Sequence, residues 1–213
     1  MIRQPVQAVI FDCDGTLVDS ETISMELLLE GVTPLGIRMT HDEAMVRFAG
    51  NDLKVVLAEL EATLNTPLPL DFLPNFRRRQ FEVLAERLQP VDGAMELLGS
   101  LSLPFCVASN APRQKIRICL ETTGLIAHCS DDRIFSAYDV DAWKPDPKLF
   151  LAAAEALQVA PADCLVVEDS VFGIEAAHSA GMQVIAFDPH GSLPKNLENT
   201  CYVSHLSQVG RAI

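Results

Sequence analysis

At 213 residues, with 49% hydrophobic and 21% charged content, the chain can bury a substantial core, which excludes an intrinsically disordered segment. A formal net charge of -13 argues against nucleic acid or an anionic membrane as a partner, because both demand a basic surface; a small anion can still bind at a local positive site. No apolar stretch reaches the ~18 residues of a membrane span, and the N-terminal MIRQPVQAVIFDCD lacks a leader-cleavage pattern, so a soluble cytoplasmic protein is expected, and a monomer is expected with it. The six cysteines (Cys13, Cys106, Cys119, Cys129, Cys164 and Cys201) form no CxxC pair and have no histidine at zinc-ligand spacing, and read as free, mostly buried thiols.

The first apolar run, AVIFDCD, ends in Asp12 and Asp14, separated only by Cys13. Alternate residues of an extended chain face the same way, so each carboxylate raises the cost of ionising the other, and a positive partner is expected beside them. From about 18 to 90 no strong strand run occurs. SETISMELLLEGV, THDEAMVRFAG, NDLKVVLAELEATL and LPNFRRRQFEVLAERL read instead as successive amphipathic helices, with a Thr40/Glu43 capping box before the second. Phe76, Gln80, Phe81, Leu84 and Leu88 trace a mostly apolar stripe on the last helix, and Arg77–Arg79 read as a solvated face.

Beyond residue 90, apolar runs alternate with helical patterns. FCVASN ends in Ser109 and Asn110, CLVVEDS in Glu168, Asp169 and Ser170, and VIAFD in Asp188. Runs apolar throughout suit parallel strands buried on both faces. The helix in PDPKLFLAAAEALQV is predicted to take Asp146 as N-cap and Pro147 at its first position, and SVFGIEAAHSAGM to run from a Ser170 cap to Gly181. The whole predicts a doubly wound parallel α/β sheet interrupted by a small helical insertion, with core at 1–17 and 91–213 and a cap at 18–90. Ligands of such sheets bind at the carboxyl ends of the strands, where these polar residues lie, so the insertion reads as a lid.

DCDGT at 12–16, VASN at 107–110, WKPDP at 143–147 and VVEDS at 166–170 resemble, in order, the four motifs of the haloacid dehalogenase superfamily. Any one of them has a structural explanation, since Asp-Gly is a common turn and Glu-Asp-Ser a common helix start. Within the superfamily the chain is similar to the small-cap branch of sugar-phosphate phosphatases and beta-phosphoglucomutases, most of all to its members acting on 6-phosphogluconate. The resemblance implies a HAD-like core and Asp12 as the nucleophile that becomes an aspartyl phosphate. Asp14 would be the acid that protonates the leaving oxygen and the base that then activates water. It also implies Mg2+ on Asp12, the backbone carbonyl of Asp14 and Asp169, with Glu168 binding directly or through water. Oxygen donors beside a phosphate favour magnesium over zinc.

Lys144 would neutralise the transferring phosphoryl group, the Ser109-Asn110 pair would donate to its oxygens through the Ser109 hydroxyl and nearby backbone N–H groups, and the tight turn at Gly15 and Thr16 would offer its amides. The cap loop with Gly50, Asn51, Asp52 and Lys54 is the expected source of substrate selection, the partner being a small phosphorylated metabolite such as a sugar or sugar-acid phosphate. His128, His178, His190 and His205 receive no role, Cys13 is expected in the core, and Trp143 either shapes the pocket rim or packs. Two other readings remain. A receiver-like phosphorylation switch shares an aspartate, a hydroxyl residue, a lysine and magnesium, but needs neither a second aspartate nor a cap. A phosphosugar mutase shares the cap, but has a histidine where Ser24 stands and an arginine where Leu53 stands; both departures favour hydrolysis, with Lys54, one residue on, either a substitute for the arginine or a surface residue of its helix.

Overall fold

The computed structural model describes residues 2, 5–48, 51 and 53–213. The chain divides into two compact units, one of Met1–Asp19 with Gln89–Ile213 and one of Ser20–Leu88.

In the first unit, β1 spans Ala8–Phe11, and all four of its residues are buried. The chain then enters the second unit, a helical one: α1 (Ser20–Val32), α2 (His41–Phe48), α3 (Leu53–Leu64) and α4 (Phe72–Arg87). The capping box forms ahead of α2: Glu43 N donates to Thr40 Oγ1 at 3.2 Å, and Thr40 N donates to Glu43 Oε2 at 2.7 Å. On α4 the buried stripe is Phe72, Phe76, Gln80, Val83 and Leu84, with Leu88 just beyond it, while Phe81 is only half-buried. Arg78 and Arg79 pair with Glu82 on the exposed side of the same helix.

The chain re-enters the first unit with α5 (Ala94–Ser100), β2 (Phe105–Ser109), α6 (Arg113–Thr122), β3 (Ile134–Ser136), α7 (Ala137–Val140), α8 (Lys148–Leu157), β4 (Cys164–Glu168), α9 (Val171–Ser179), β5 (Gln183–Phe187) and β6 (Thr200–Val203). The strands form one parallel sheet in the order β3-β2-β1-β4-β5-β6. Chain order reverses at β1, so the crevice between β1 and β4 is the switch point where a doubly wound sheet binds its ligand. Ala8, Ile10, Cys106, Ala108, Val166 and Val184 pack on one face against α8 and α9. Their odd-numbered neighbours Val9, Phe11, Val107 and Val167 are equally buried on the other. Burial on both faces explains why the strands read as unbroken apolar runs.

Two helix starts illustrate how local sequence sets the elements. α8 begins at Lys148, one residue after the expected start, yet Asp146 Oδ1 still accepts from Lys148 N at 2.9 Å. At α9, Ser170 Oγ accepts from Gly173 N at 3.0 Å, and Gly181 follows with φ +75°. Among the described residues, no helix is long and apolar enough to cross a membrane.

Because Leu84 is fully buried in α4, Leu84→Ala should cost about 2–5 kcal/mol in urea unfolding. The fully exposed Leu70 changed to alanine should stay within about 0.5 kcal/mol of wild type. Similar losses at both positions would contradict the packing described.

Candidate active site

The residues after β1 turn sharply. Leu17 N and Val18 N both donate to Cys13 O, and Gly15 N donates to Val18 O at 2.8 Å. Gly15 sits at φ +87°, and a Cβ there would lie 2.0 Å from Asp169 Oδ2. Glycine is therefore required twice over, for the turn and for the approach of Asp169. Thr16 is wholly buried and its hydroxyl donates to Asp169 Oδ1 at 3.0 Å, which sets the carboxylate after β4 against the loop after β1.

Lys144 reaches the same crevice from the loop before α8. Its ammonium donates to Asp12 Oδ1 at 2.5 Å and to Glu168 Oε1 at 2.7 Å, and all three side chains are buried. Glu168 is fixed in turn, because its Oε2 accepts from Ser170 N at 2.8 Å and Ser170 Oγ at 2.9 Å. Both of its oxygens are thus committed. Asn110 pins the backbone of Lys144: its Oδ1 accepts from Lys144 N at 2.8 Å and its Nδ2 donates to Lys144 O at 3.4 Å.

Burial is the largest influence on Asp12 and pushes its carboxyl well above the usual range; Lys144 pulls it back, while Glu168 and Asp14 add to the push. Burial also opposes charge on Lys144, but Asp12 and Glu168 together outweigh it and hold the lysine above its ordinary value. One shared ammonium stays protonated while two buried carboxylates compete for it.

Asp14 faces a different set of groups. Its Oδ2 accepts from Ser109 Oγ at 3.4 Å, and its Oδ1 accepts from Lys115 Nζ at 2.7 Å. Ser109 Oγ also accepts from Ala111 N at 3.1 Å. Cys13, between the aspartates, is fully buried; the Cys119 thiol and burial push its own thiol up, as a packing role requires. Trp143 packs edge-on to Tyr138 at 5.3 Å and against the sheet core.

The structure therefore brings Asp12, Asp14, Thr16, Ser109, Asn110, Lys144, Glu168 and Asp169 together at the carboxyl ends of the central strands. It gives the Thr16 hydroxyl and the Asn110 amide the task of holding Asp169 and Lys144. In the helical unit, Asn51 Nδ2 donates to Arg47 O at 3.1 Å, closing the last turn of α2, and Lys54 is exposed on α3. Gly50 and Asp52 lie outside the described residues.

Sequence reasoning missed Lys115 and Gly173. Lys115 shares a side of α6 with buried Cys119, four residues on, and a charge on an apolar face is the signal that marks it. Gly173 sits where a Cβ would come within 1.9 Å of Glu168 Cδ.

The metal implied by the motifs can be tested against these donors. They are all hard oxygens, and Asp169 occupies the space left by the absent Gly15 side chain. Among the described residues, no three Asp, Glu, His or Cys side chains form a ready metal cluster. Hard oxygen donors of this kind suit magnesium, which binds through one or two carboxylates and completes its shell with water and substrate phosphate.

The chain belongs to the haloacid dehalogenase-like hydrolases, whose family model matches residues 9–187. It is 34% identical over 207 residues to the 6-phosphogluconate phosphatase of Escherichia coli K12, covering 96% of this chain and 93% of that protein. A haloacid dehalogenase-like protein of unknown function from Agrobacterium tumefaciens superposes with a TM-score of 0.78 at 33% identity, covering 98% of this chain and 90% of the other. A HAD family hydrolase from Deinococcus radiodurans, crystallised with bound phosphate and sodium, gives a TM-score of 0.78 at 27% identity, with 96% and 93% covered.

Gly173→Ala separates two effects. Helix propensity alone would gain up to about 1 kcal/mol. The added methyl must instead displace Glu168 from its buried contacts with Lys144 and Ser170, and through Lys144 the geometry at Asp12, so at least about a tenfold loss of kcat is expected together with a lowered thermal stability that outweighs the propensity gain. Unchanged kcat would show that Glu168 is not held by this contact.

Proposed function

We propose that the protein is a magnesium-dependent phosphatase that hydrolyses a small sugar or sugar-acid phosphate, 6-phosphogluconate first among them, through an aspartyl phosphate on Asp12. The observation that carries this reading is the buried ammonium of Lys144 between Asp12 and Glu168. Two buried carboxylates share one cation there, which leaves room for further positive charge and for an anion that brings its own counter-ion. The Escherichia coli relative acts on 6-phosphogluconate by name, and the Deinococcus relative holds phosphate with a sodium ion, in support of this reading.

Asp12 attacks phosphorus with a carboxylate oxygen, and the bond from phosphorus to the leaving oxygen breaks with its electron pair on that oxygen. Asp14 delivers a proton there, so the departing group leaves as an alcohol. Asp14 next takes a proton from water, whose oxygen bonds to phosphorus as the acyl-phosphate bond breaks. Inorganic phosphate and the Asp12 carboxylate are regenerated. Lys144 and Ser109 donate toward phosphoryl charge, and Asn110 keeps Lys144 in place. The residues that would hold magnesium are Asp12, Asp169 and the carbonyl of Asp14, with Glu168, whose oxygens are committed, at most through water. Magnesium, when bound, would supply the positive charge that keeps Asp12 ionised beside an anionic phosphate.

Hydrolysis is favoured over phosphosugar transfer by Ser24, which stands at the mutase histidine. Its hydroxyl donates to Ser20 O at 2.7 Å and accepts from Gln80 Nε2 at 2.7 Å, so it braces the helical unit and has no basic nitrogen to offer. Substrate selection by Asn51 and Lys54 is part of the proposal, although Asn51 also serves α2.

Asp12→Asn should abolish both turnover and trapping of radiolabelled phosphoenzyme, while a chelator should remove activity and magnesium restore it. Near wild-type turnover in Asp12→Asn, or full activity without metal, would refute the mechanism. A phosphate-release panel should give a higher kcat/KM for 6-phosphogluconate or another sugar phosphate than for 4-nitrophenyl phosphate; the reverse order would refute the substrate class.

A further inference from the structure

We propose that Lys115 is a positioning residue that sets the orientation of the Asp14 carboxyl group for proton delivery. The inference rests on the acid–base role of Asp14 proposed above.

Lys115 sits in the first turn of α6, immediately after the Ser109-Asn110 end of β2. Its backbone is fixed by Lys115 N donating to Pro112 O at 2.9 Å, and its side chain is only 13% exposed. A lysine normally keeps its ammonium in water; this one spends the length of its stem to reach Asp14 Oδ1 at 2.7 Å. The contact gives the two carboxyl oxygens different neighbours. Oδ1 is held by Lys115, and Oδ2 is turned toward the hydroxyl of Ser109, on the side where the phosphoryl group is proposed to bind.

A carboxyl group turns about its own axis with little resistance, so proton delivery from a chosen oxygen needs something to hold the other. Lys115 holds Oδ1 from outside the four motifs.

The test compares two leaving groups. Nitrophenolate departs without a proton, whereas the alkoxide of a sugar phosphate needs one, so a defect in the acid shows on the second and spares the first. kcat/KM reports the steps through departure of that first group, which keeps the later hydrolysis of the phosphoenzyme out of the comparison. Lys115→Met, Lys115→Arg and Asp14→Asn are measured on 4-nitrophenyl phosphate and on the best sugar phosphate of the panel.

Lys115→Met should lose at least about tenfold in kcat/KM on the sugar phosphate and less than about threefold on the aromatic one. Lys115→Arg, which keeps a donor at similar reach, should recover most of the loss, and both variants should melt near wild type. Asp14→Asn should show the same leaving-group pattern more strongly. Equal losses of Lys115→Met on both substrates, or no loss on either, with the Asp14→Asn pattern intact, would overturn the role of Lys115 alone. Loss of that pattern in Asp14→Asn would overturn the acid–base role and this inference with it.

Discussion

One buried ammonium organises the catalytic edge of this protein. Lys144 lies between Asp12 and Glu168, which leave the ends of adjacent parallel strands, and so ties β1, β4 and the loop before α8 to a single point. Burying three ionisable groups is costly, and the cost is offset only when every oxygen and proton finds a partner. That requirement propagates outward. Glu168 needs Ser170 and the bare backbone of Gly173, and Lys144 needs Asn110 to fix its main chain. The start of α9 is therefore part of the site, because the same turn that caps the helix holds the carboxylate.

The two aspartates on one strand end are separated by their surroundings. Asp12 is buried with a lysine shared by a second carboxylate. Asp14, one turn further into the loop, has its own lysine and a serine hydroxyl. Two like groups with different partners can take different duties, one as nucleophile and one as proton carrier. The fold provides this division because β1 is central, with β2 and β4 on either side supplying different partners.

Much of this was legible in the sequence. Strands buried on both faces declare themselves as apolar runs, and four of them did so between Ala8 and Asp188. β3 and β6 did not. Both are short and at the two edges of the sheet, and β6 is largely half-buried, so neither produces an unbroken apolar stretch. The motif residues were legible by type and order, but their division of labour was not. What the sequence did not show is that the Thr16 hydroxyl also packs on Asp169 and that the Asn110 side chain fixes the backbone of Lys144. Lys115 lay hidden among Arg113 and Arg117 because surface helices commonly carry such charges, and only the packing of α6 shows which of the three points inward.

The central claim is that Lys144 is the shared cation on which the buried carboxylates depend, and the unfolding free energy of Lys144→Met in magnesium-free buffer at neutral pH tests it most directly. Methionine keeps most of the stem and removes the charge, leaving Asp12 and Glu168 buried without their partner. A loss of about 3–5 kcal/mol is expected, as for a buried ion pair broken on one side. Unfolding indistinguishable from wild type would show that the carboxylates do not rely on this lysine.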